Sequence, residues 1–270
     1  MILDTIARST AKRIRAAKEN LPLLQLKEIV HEVDCDTDFQ FEKQLSRPGM
    51  NFICELKKAS PSKGLIVSEF PYLDIAKEYE SAGAAAISVL TEPEYFLGSD
   101  KYLQEIAAEV NIPCLRKDFI IDEYQIYEAK LLKASAVLLI CALLDGETIK
   151  QYIKLCDSLG LSALVEVHDE NEMRSAIYAN ARIIGVNNRN LHDFTVDIGN
   201  STNLRALAPN DIIFVAESGI KTAEDISVLR NNGINAVLIG ETLMKAENKM
   251  KMLNELRGEL SDFCIKAECT

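Results

Sequence analysis

A chain of 270 residues, 48% hydrophobic and 26% charged, is long enough for two small domains or one large barrel with a sizeable core. Its formal net charge of −11 repels nucleic acid and anionic lipid, and no apolar run reaches the roughly 18 residues of a membrane span. Seven cysteines without a CxxC pair, and three scattered histidines (His31, His168, His192), predict reduced thiols in a cytoplasmic protein with no metal site.

The opening MILDTIARSTAKRIRAAKEN spreads its charges along its length, so it is not expected to be a signal peptide. Helical patterning is expected over about 2–19 and 23–32, the first with an apolar stripe of Ile2, Ile6 and Ile14. A polar segment, CDTDFQFEKQLSRPG, follows, and no strand signal occurs before Phe52.

From there the chain alternates. Short apolar runs lie at 52–56, 86–90, 112–115, 136–141, 162–167, 182–186, 212–216 and 235–239. Helical stretches such as LDIAKEYESAG and TIKQYIKLCDSLG separate them, and several end on a glycine, as at Gly83, Gly160 and Gly233. Eight βα units predict an α/β fold, a closed (β/α)8 barrel over 49–270 preceded by an N-terminal helical extension, 1–48. The extension is expected to pack on the catalytic face. A doubly wound open sheet would carry a Gly-rich turn after its first strand, and none is present.

In such a barrel the active site lies at the C-terminal ends of the strands. The first strand ends with Glu55 and Lys57, the second leads into Thr91-Glu92, and the third into Arg116-Lys117-Asp118. The fifth ends in Glu166-Val167-His168, the sixth in Asn187-Asn188-Arg189, and the seventh in Glu217-Ser218-Gly219. Glu55 and Lys57 share a face, as do Leu164 with Glu166, Asn187 with Arg189, and Val215 with Glu217. Charged residues at strand ends are usually just solvated. Polar groups at nearly every strand end of one rim instead point to a site. Ser218-Gly219 and Gly240 fall in the two loops where these barrels often hold phosphate on backbone N–H groups.

The stretches CELKKASPSKG (54–64), SVLTEPEYFLGS (88–99), LRKDFIIDEYQIYEA (115–129), LVEVHDENE (164–172), IIGVNNRNL (183–191), VAESGI (215–220) and LIGETLM (238–244) resemble the indole-3-glycerol-phosphate synthase family, in that family's order. The resemblance implies a carboxy-lyase of tryptophan biosynthesis acting on 1-(2-carboxyphenylamino)-1-deoxyribulose 5-phosphate without a cofactor. It implies Lys117 as the acid for ring closure and Lys57 as an acid for dehydration, with Glu166 and Glu55 as proton acceptors or electrostatic partners. Asn187 and Arg189 would orient the substrate and Glu217 would complete the polar ring. Ser60, Ser218, Gly219, Gly240 and the Glu241 backbone would hold phosphate, and Leu90, Phe96 and Phe119 would wall the aromatic end. Partners are expected to be limited to the small anionic sugar phosphate, with no nucleic acid or membrane, in a monomer or weak homodimer.

A lysine with its reference pKa near ~10.4 is a poor acid at neutral pH. Repulsion between two inward lysines is expected to lower one of them, against the pull of Glu55, Glu166 and Glu217. A lysine Schiff-base aldolase, another sugar-phosphate isomerase and a silent binding or scaffold barrel are the alternatives on the same fold. The intact set Glu55, Lys57, Lys117 and Glu166 speaks against the silent barrel.

Overall fold

The computed structural model describes residues 2–190 and 193–258; Met1, Leu191, His192 and 259–270, with Cys264 and Cys269, lie outside the described residues. In chain order the elements are α1 (Ile2–Asn20), α2 (Leu23–His31), α3 (Gln40–Leu45), β1 (Asn51–Leu56), β2 (Ala59–Ser60), β3 (Gly64–Leu65), α4 (Tyr72–Ser81) and β4 (Ala86–Leu90). Next come α5 (Asp100–Glu109), β5 (Cys114–Lys117), α6 (Glu123–Leu131), β6 (Ala136–Ile140), α7 (Gly146–Ser158), β7 (Ser162–Val167) and α8 (Glu170–Tyr178). The chain continues with β8 (Ile183–Asn187), α9 (Gly199–Arg205), β9 (Ile213–Glu217), α10 (Ala223–Asn231), β10 (Ala236–Ile239), α11 (Glu241–Lys245) and α12 (Lys249–Arg257).

Strands β1 and β4–β10 pair in parallel and close into a barrel, β1 bonding both β10 and β4. Most strands are short apolar runs buried on both faces, as a parallel sheet wrapped in helices requires. Alternation then sorts side chains into two cores. Ile53, Leu115, Leu138, Leu164, Val215 and Leu238 fill the barrel interior. Phe52, Ile87, Val137, Val165, Ile184, Phe214 and Val237 point outward under the helices. Helix starts are fixed by side-chain caps: Asp122, Asp145 and Asp169 accept backbone N–H groups, and Thr222 and Asp225 form a capping box.

The strand expected at 112–115 runs instead from Cys114 to Lys117. Pro113 has no N–H to give a ladder, and the two charged residues pair with Val89 and Leu90 of β4. Arg116 points outward and is only 1% exposed. It is matched there by Asp118, Asp100, Glu128 and the Gln125 carbonyl. Lys117, one residue on, points inward.

The helices of residues 1–48 do not share one face of the barrel. Helix α1 lies over the C-terminal ends of the strands, where Arg13 makes a two-pronged bond to Asp118 (2.8 and 2.9 Å) and Lys18 pairs with Asp122 at 2.6 Å. Helix α2 runs along α6, with Lys27 on Glu123 at 3.0 Å. Helix α3, inside the segment read as merely polar, closes the opposite end. Its Phe41 and Leu45 are fully buried against the interior core, and Asn51 at the start of β1 donates to the carbonyls of Leu45, Arg47 and Asn235. Of the three helices, α1 is the one that reaches the rim at the C-terminal ends of the strands.

Phe41 fills the base of the barrel, so Phe41→Ala should cost about 3–5 kcal/mol of unfolding free energy. Urea unfolding measures this, and a loss below about 1 kcal/mol would show that α3 merely rests on the barrel mouth.

Candidate active site

A cavity of about 640 Å³ opens at the C-terminal ends of the strands, and every residue expected from sequence lines it. Leu138, Ile140 and Leu238 form an apolar patch in its wall. The charged layer follows from strand period: Glu55, Lys117, Glu166 and Glu217 each stand two residues beyond an interior apolar residue, Ile53, Leu115, Leu164 and Val215.

Lys117 Nζ lies 3.2 Å from Glu166 Oε2 and 2.9 Å from Glu217 Oε2, and Asn187 Nδ2 donates to Glu166 Oε1 at 3.4 Å. Burial works to lower the Lys117 pKa, but Glu217, Glu166 and Glu55 together outweigh it and hold the ammonium above its usual range. The expected lowering by lysine–lysine repulsion is thus overturned for Lys117. Glu166 goes the other way: burial opposes its charge, but Lys117, His168 and Asn187 keep it below the usual carboxylate range. Burial pushes Glu217 up to about 7, against the pull of Lys117. Two carboxylates on one lysine therefore differ in proton affinity, the arrangement by which a site separates acid from base.

The second pair is Glu55 and Lys57, in direct ionic contact, with Ser88 Oγ 3.5 Å from the other Glu55 oxygen. Room for the pair comes from the neighbouring strands. A methyl group on Gly240 would stand 2.5 Å from Glu55 Oε1 and 3.3 Å from Lys57 Nζ. Gly185, on β8, likewise leaves the space that the Glu217 carboxylate occupies.

One end of the cavity suits an anion. Ser60 is buried in the small β2–β3 ribbon, which loops back at Gly64. Ser218 and Gly219 both have positive φ, +67° and +85°. Asn188, a strand-end residue whose side chain points away from the cavity, holds this turn by donating to the Ser218 carbonyl at 3.3 Å. After Gly240 the short helix α11 begins, with the Glu241 carboxylate drawn off to Lys245 at 2.7 Å. Lys57, Lys63, Arg189, Lys221 and Lys245 add positive charge around this end. Arg189 donates its backbone N–H to Asn187 Oδ1 and its guanidinium to the Phe194 carbonyl.

The other end is apolar, walled by Leu90, Phe96 and Phe119, with Ile2, Leu3 and Ile6 of α1 closing over it. The Phe96 and Phe119 rings lie 5.8 Å apart. Buried Glu92 shapes this wall: its carboxylate accepts the N–H groups of Glu94, Tyr95 and Phe96 at 2.7–3.0 Å. Asp118 does the same beside Lys117, accepting from Arg13, Thr91 and the Phe119 N–H. Sequence reasoning placed Glu92, Asp118 and Asn188 at the correct rim without giving them a role. Asp118 and Asn188 stand out of phase with the inward residues of their strands, the signal that they brace the rim, whereas Glu92 lies in the loop after β4, where strand phase gives no such signal. Among the described residues, no group of three or more His, Cys, Asp or Glu side chains is arranged to hold a metal.

A family model described as "Indole-3-glycerol phosphate synthase" matches residues 3–256. The chain is 60% identical over 258 residues to the indole-3-glycerol phosphate synthase of Ruminiclostridium cellulolyticum, covering 96% of this chain and 99% of the relative. It is 55% identical to that of Endomicrobium trichonymphae, covering 95% and 100%. Among solved structures it is similar in fold to a 3-hexulose-6-phosphate synthase from Salmonella typhimurium, at a TM-score of 0.62 and 16% identity, covering 78% of this chain and 98% of that one.

The closeness of Gly240 to the Glu55–Lys57 pair makes Gly240→Ala a test of local geometry. Displacing the pair by about 1 Å should lower kcat by about 10²-fold while thermal unfolding stays near that of the parent protein. Unchanged turnover would show that the pair tolerates movement.

Proposed function

The chain belongs to the indole-3-glycerol phosphate synthase family, and we propose a division of labour among its residues for that family's carboxy-lyase reaction. The reaction converts 1-(2-carboxyphenylamino)-1-deoxyribulose 5-phosphate into indole-3-glycerol phosphate, carbon dioxide and water. Three events are needed: carbon–carbon bond formation at the ketone, loss of the carboxylate as carbon dioxide to restore the aromatic ring, and loss of a hydroxyl as water.

The observation that carries the assignment is the separation into two lysine–carboxylate groups, Lys117 with Glu166 and Glu217, and Lys57 with Glu55. Lys117 protonates the ketone oxygen as the ring carbon attacks. Its ammonium is stabilised, but the alkoxide forming on that oxygen is a stronger base than any amine, so the transfer still runs downhill. Glu166, kept ionised, accepts the proton released later at the ring system. Lys57 protonates the departing hydroxyl, and Glu55 holds it in place. Glu217 takes up or shares a proton near neutrality, which lets the charged layer adjust as Lys117 changes state. Asn187 and Arg189 orient the substrate's oxygen atoms.

The substrate carries a carboxylate and a phosphate, so it must overcome a net charge of −11 on the protein. The cluster of Lys57, Lys63, Arg189, Lys221 and Lys245 does this locally. Phosphate binds on Ser60, Ser218, Gly219, Gly240 and the Glu241 N–H, the loops after the last two barrel strands and the start of a short extra helix. The aromatic ring lies between Leu90, Phe96 and Phe119. Residues 1–48 work as a helical extension of the barrel 49–270 rather than as a separate domain. The protein acts in the cytoplasm as a monomer or weak homodimer with a small anionic sugar phosphate and no nucleic acid or membrane partner. No described helix is long and apolar enough to cross a membrane.

Indole fluorescence should rise when the purified protein meets the carboxyphenylamino-deoxyribulose phosphate, and a flat trace from folded protein would overturn the reading. Lys117→Met should reduce carbon dioxide release and indole formation together, by about 10²–10⁴-fold. Lys57→Met should slow indole formation more than carbon dioxide release, because it removes only the last acid. Equal loss of both products in the two variants would end the proposed split. Borohydride with substrate should leave both lysines unlabelled.

A further inference from the structure

His168 takes no part in the reaction as assigned above, yet it is built into the charged layer from behind. It follows β7, two residues beyond Glu166, and its Nε2 lies 3.5 Å from Glu166 Oε1. Its Nδ1 is 3.0 Å from Glu172 Oε2, and that same oxygen accepts the His168 backbone N–H at 2.7 Å. Glu172 stands in the first turn of α8, whose start is fixed by the Asp169 cap, and Asn200 donates to the His168 carbonyl at 3.0 Å. The ring is thus held through Nδ1 and its backbone, which leaves Nε2 facing Glu166 with no other partner. It is 15% exposed and is not among the residues lining the cavity.

Glu166 consequently stands between an ammonium group and an imidazole ring. Lys117 approaches Oε2 from the cavity side, and His168 approaches Oε1 from the helix side, beside Asn187 Nδ2. The other ionisable groups around the pair are Glu217 on β9, Glu172 and Asp169 on the β7–α8 side, and the Cys141 thiol beyond β6, which burial keeps neutral. Carboxylates outnumber cations on the rear side. Burial acts against charge on His168, but the Glu172 hydrogen bond and the field of Glu166, Glu172 and Glu217 raise its proton affinity.

Lys117 cannot serve Glu166 throughout the cycle. When it turns to the ketone oxygen and gives up its proton, the front cation is lost at the stage when Glu166 must stay ionised. We propose that His168, clamped by Glu172, is a positioning residue that keeps Glu166 charged and aimed at the cavity while Lys117 is engaged with substrate. The inference rests on Glu166 acting as a proton acceptor in the reaction assigned above.

The test is the pH profile of kcat for His168→Asn, a polar side chain without the charge. Loss of a cation beside a carboxylate raises that carboxylate's pKa, so the acidic limb should move to higher pH by about one unit. KM should change by less than about twofold, because His168 does not line the cavity. Glu172→Gln, which keeps an acceptor for the ring but removes the negative charge that favours the imidazolium, should move the limb the same way by less, and it decides the matter if His168→Asn does not fold. An acidic limb unmoved in the folded variants overturns the proposal. Glu166→Gln measured in parallel separates the two levels: if it retains parental turnover, the role of Glu166 itself is wrong; if it is inactive while the limb stays put, only the role of His168 fails.

Discussion

A lysine buried inside a barrel must be matched by carboxylates close enough to replace the water it has lost, and the interior is organised around that requirement. Lys117 is met by Glu166 and Glu217, and Lys57 by Glu55. Three carboxylates therefore face two ammonium groups. The excess negative charge sits in a dry space, and its proton affinity emerges at Glu217, which burial pushes up to about 7. The other consequences are steric. Gly185 and Gly240 lack side chains because carboxylate and ammonium groups already fill the volume a Cβ would take.

The same matching is repeated one residue away on the outside of the sheet. Arg116 and Lys117 are neighbours in one strand, yet each is neutralised on its own side, the first by Asp118, Asp100 and Glu128 beneath the helices. Asp118 also takes the two-pronged bond from Arg13, so α1 is fastened to the residue following Lys117. The aromatic wall is secured in a similar way by Glu92. Polar groups bonded to neighbouring backbone and side chains thus fix the ones that face the centre of the cavity.

Much of this was legible because a strand has a period of two and a barrel has one inside. The eight apolar runs, and the inward phase of Glu55, Glu166 and Glu217, follow from alternation alone. Less was legible where charge replaced apolar character. Arg116 and Lys117 extend β5 past the point where hydrophobicity stops, so the strand was placed two residues early. Helix α3 offers only Phe41 and Leu45 as apolar signal within a polar stretch, and its burial depends on the open barrel end it closes. The proton affinity of Lys117 was beyond reach, because it depends on how near each of three carboxylates approaches. At Lys117 the three carboxylates outweigh both burial and any repulsion from the second lysine. The structure shows each lysine with its own acidic partners.

The path of the first 48 residues bears on how the protein is made. Arg13 must wait 105 residues for Asp118, Glu42 must wait 140 for Arg182, and Leu45 and Arg47 are tied through Asn51 to Asn235, 184 residues after it. Synthesis runs from the N-terminus at about 5–20 residues per second, so these helices leave the ribosome many seconds before their partners exist. Such long-range pairings are slow to form and leave apolar stripes uncovered meanwhile. Phe41 and the apolar stripe of α1 thus stay uncovered until the strands that bury them have been made.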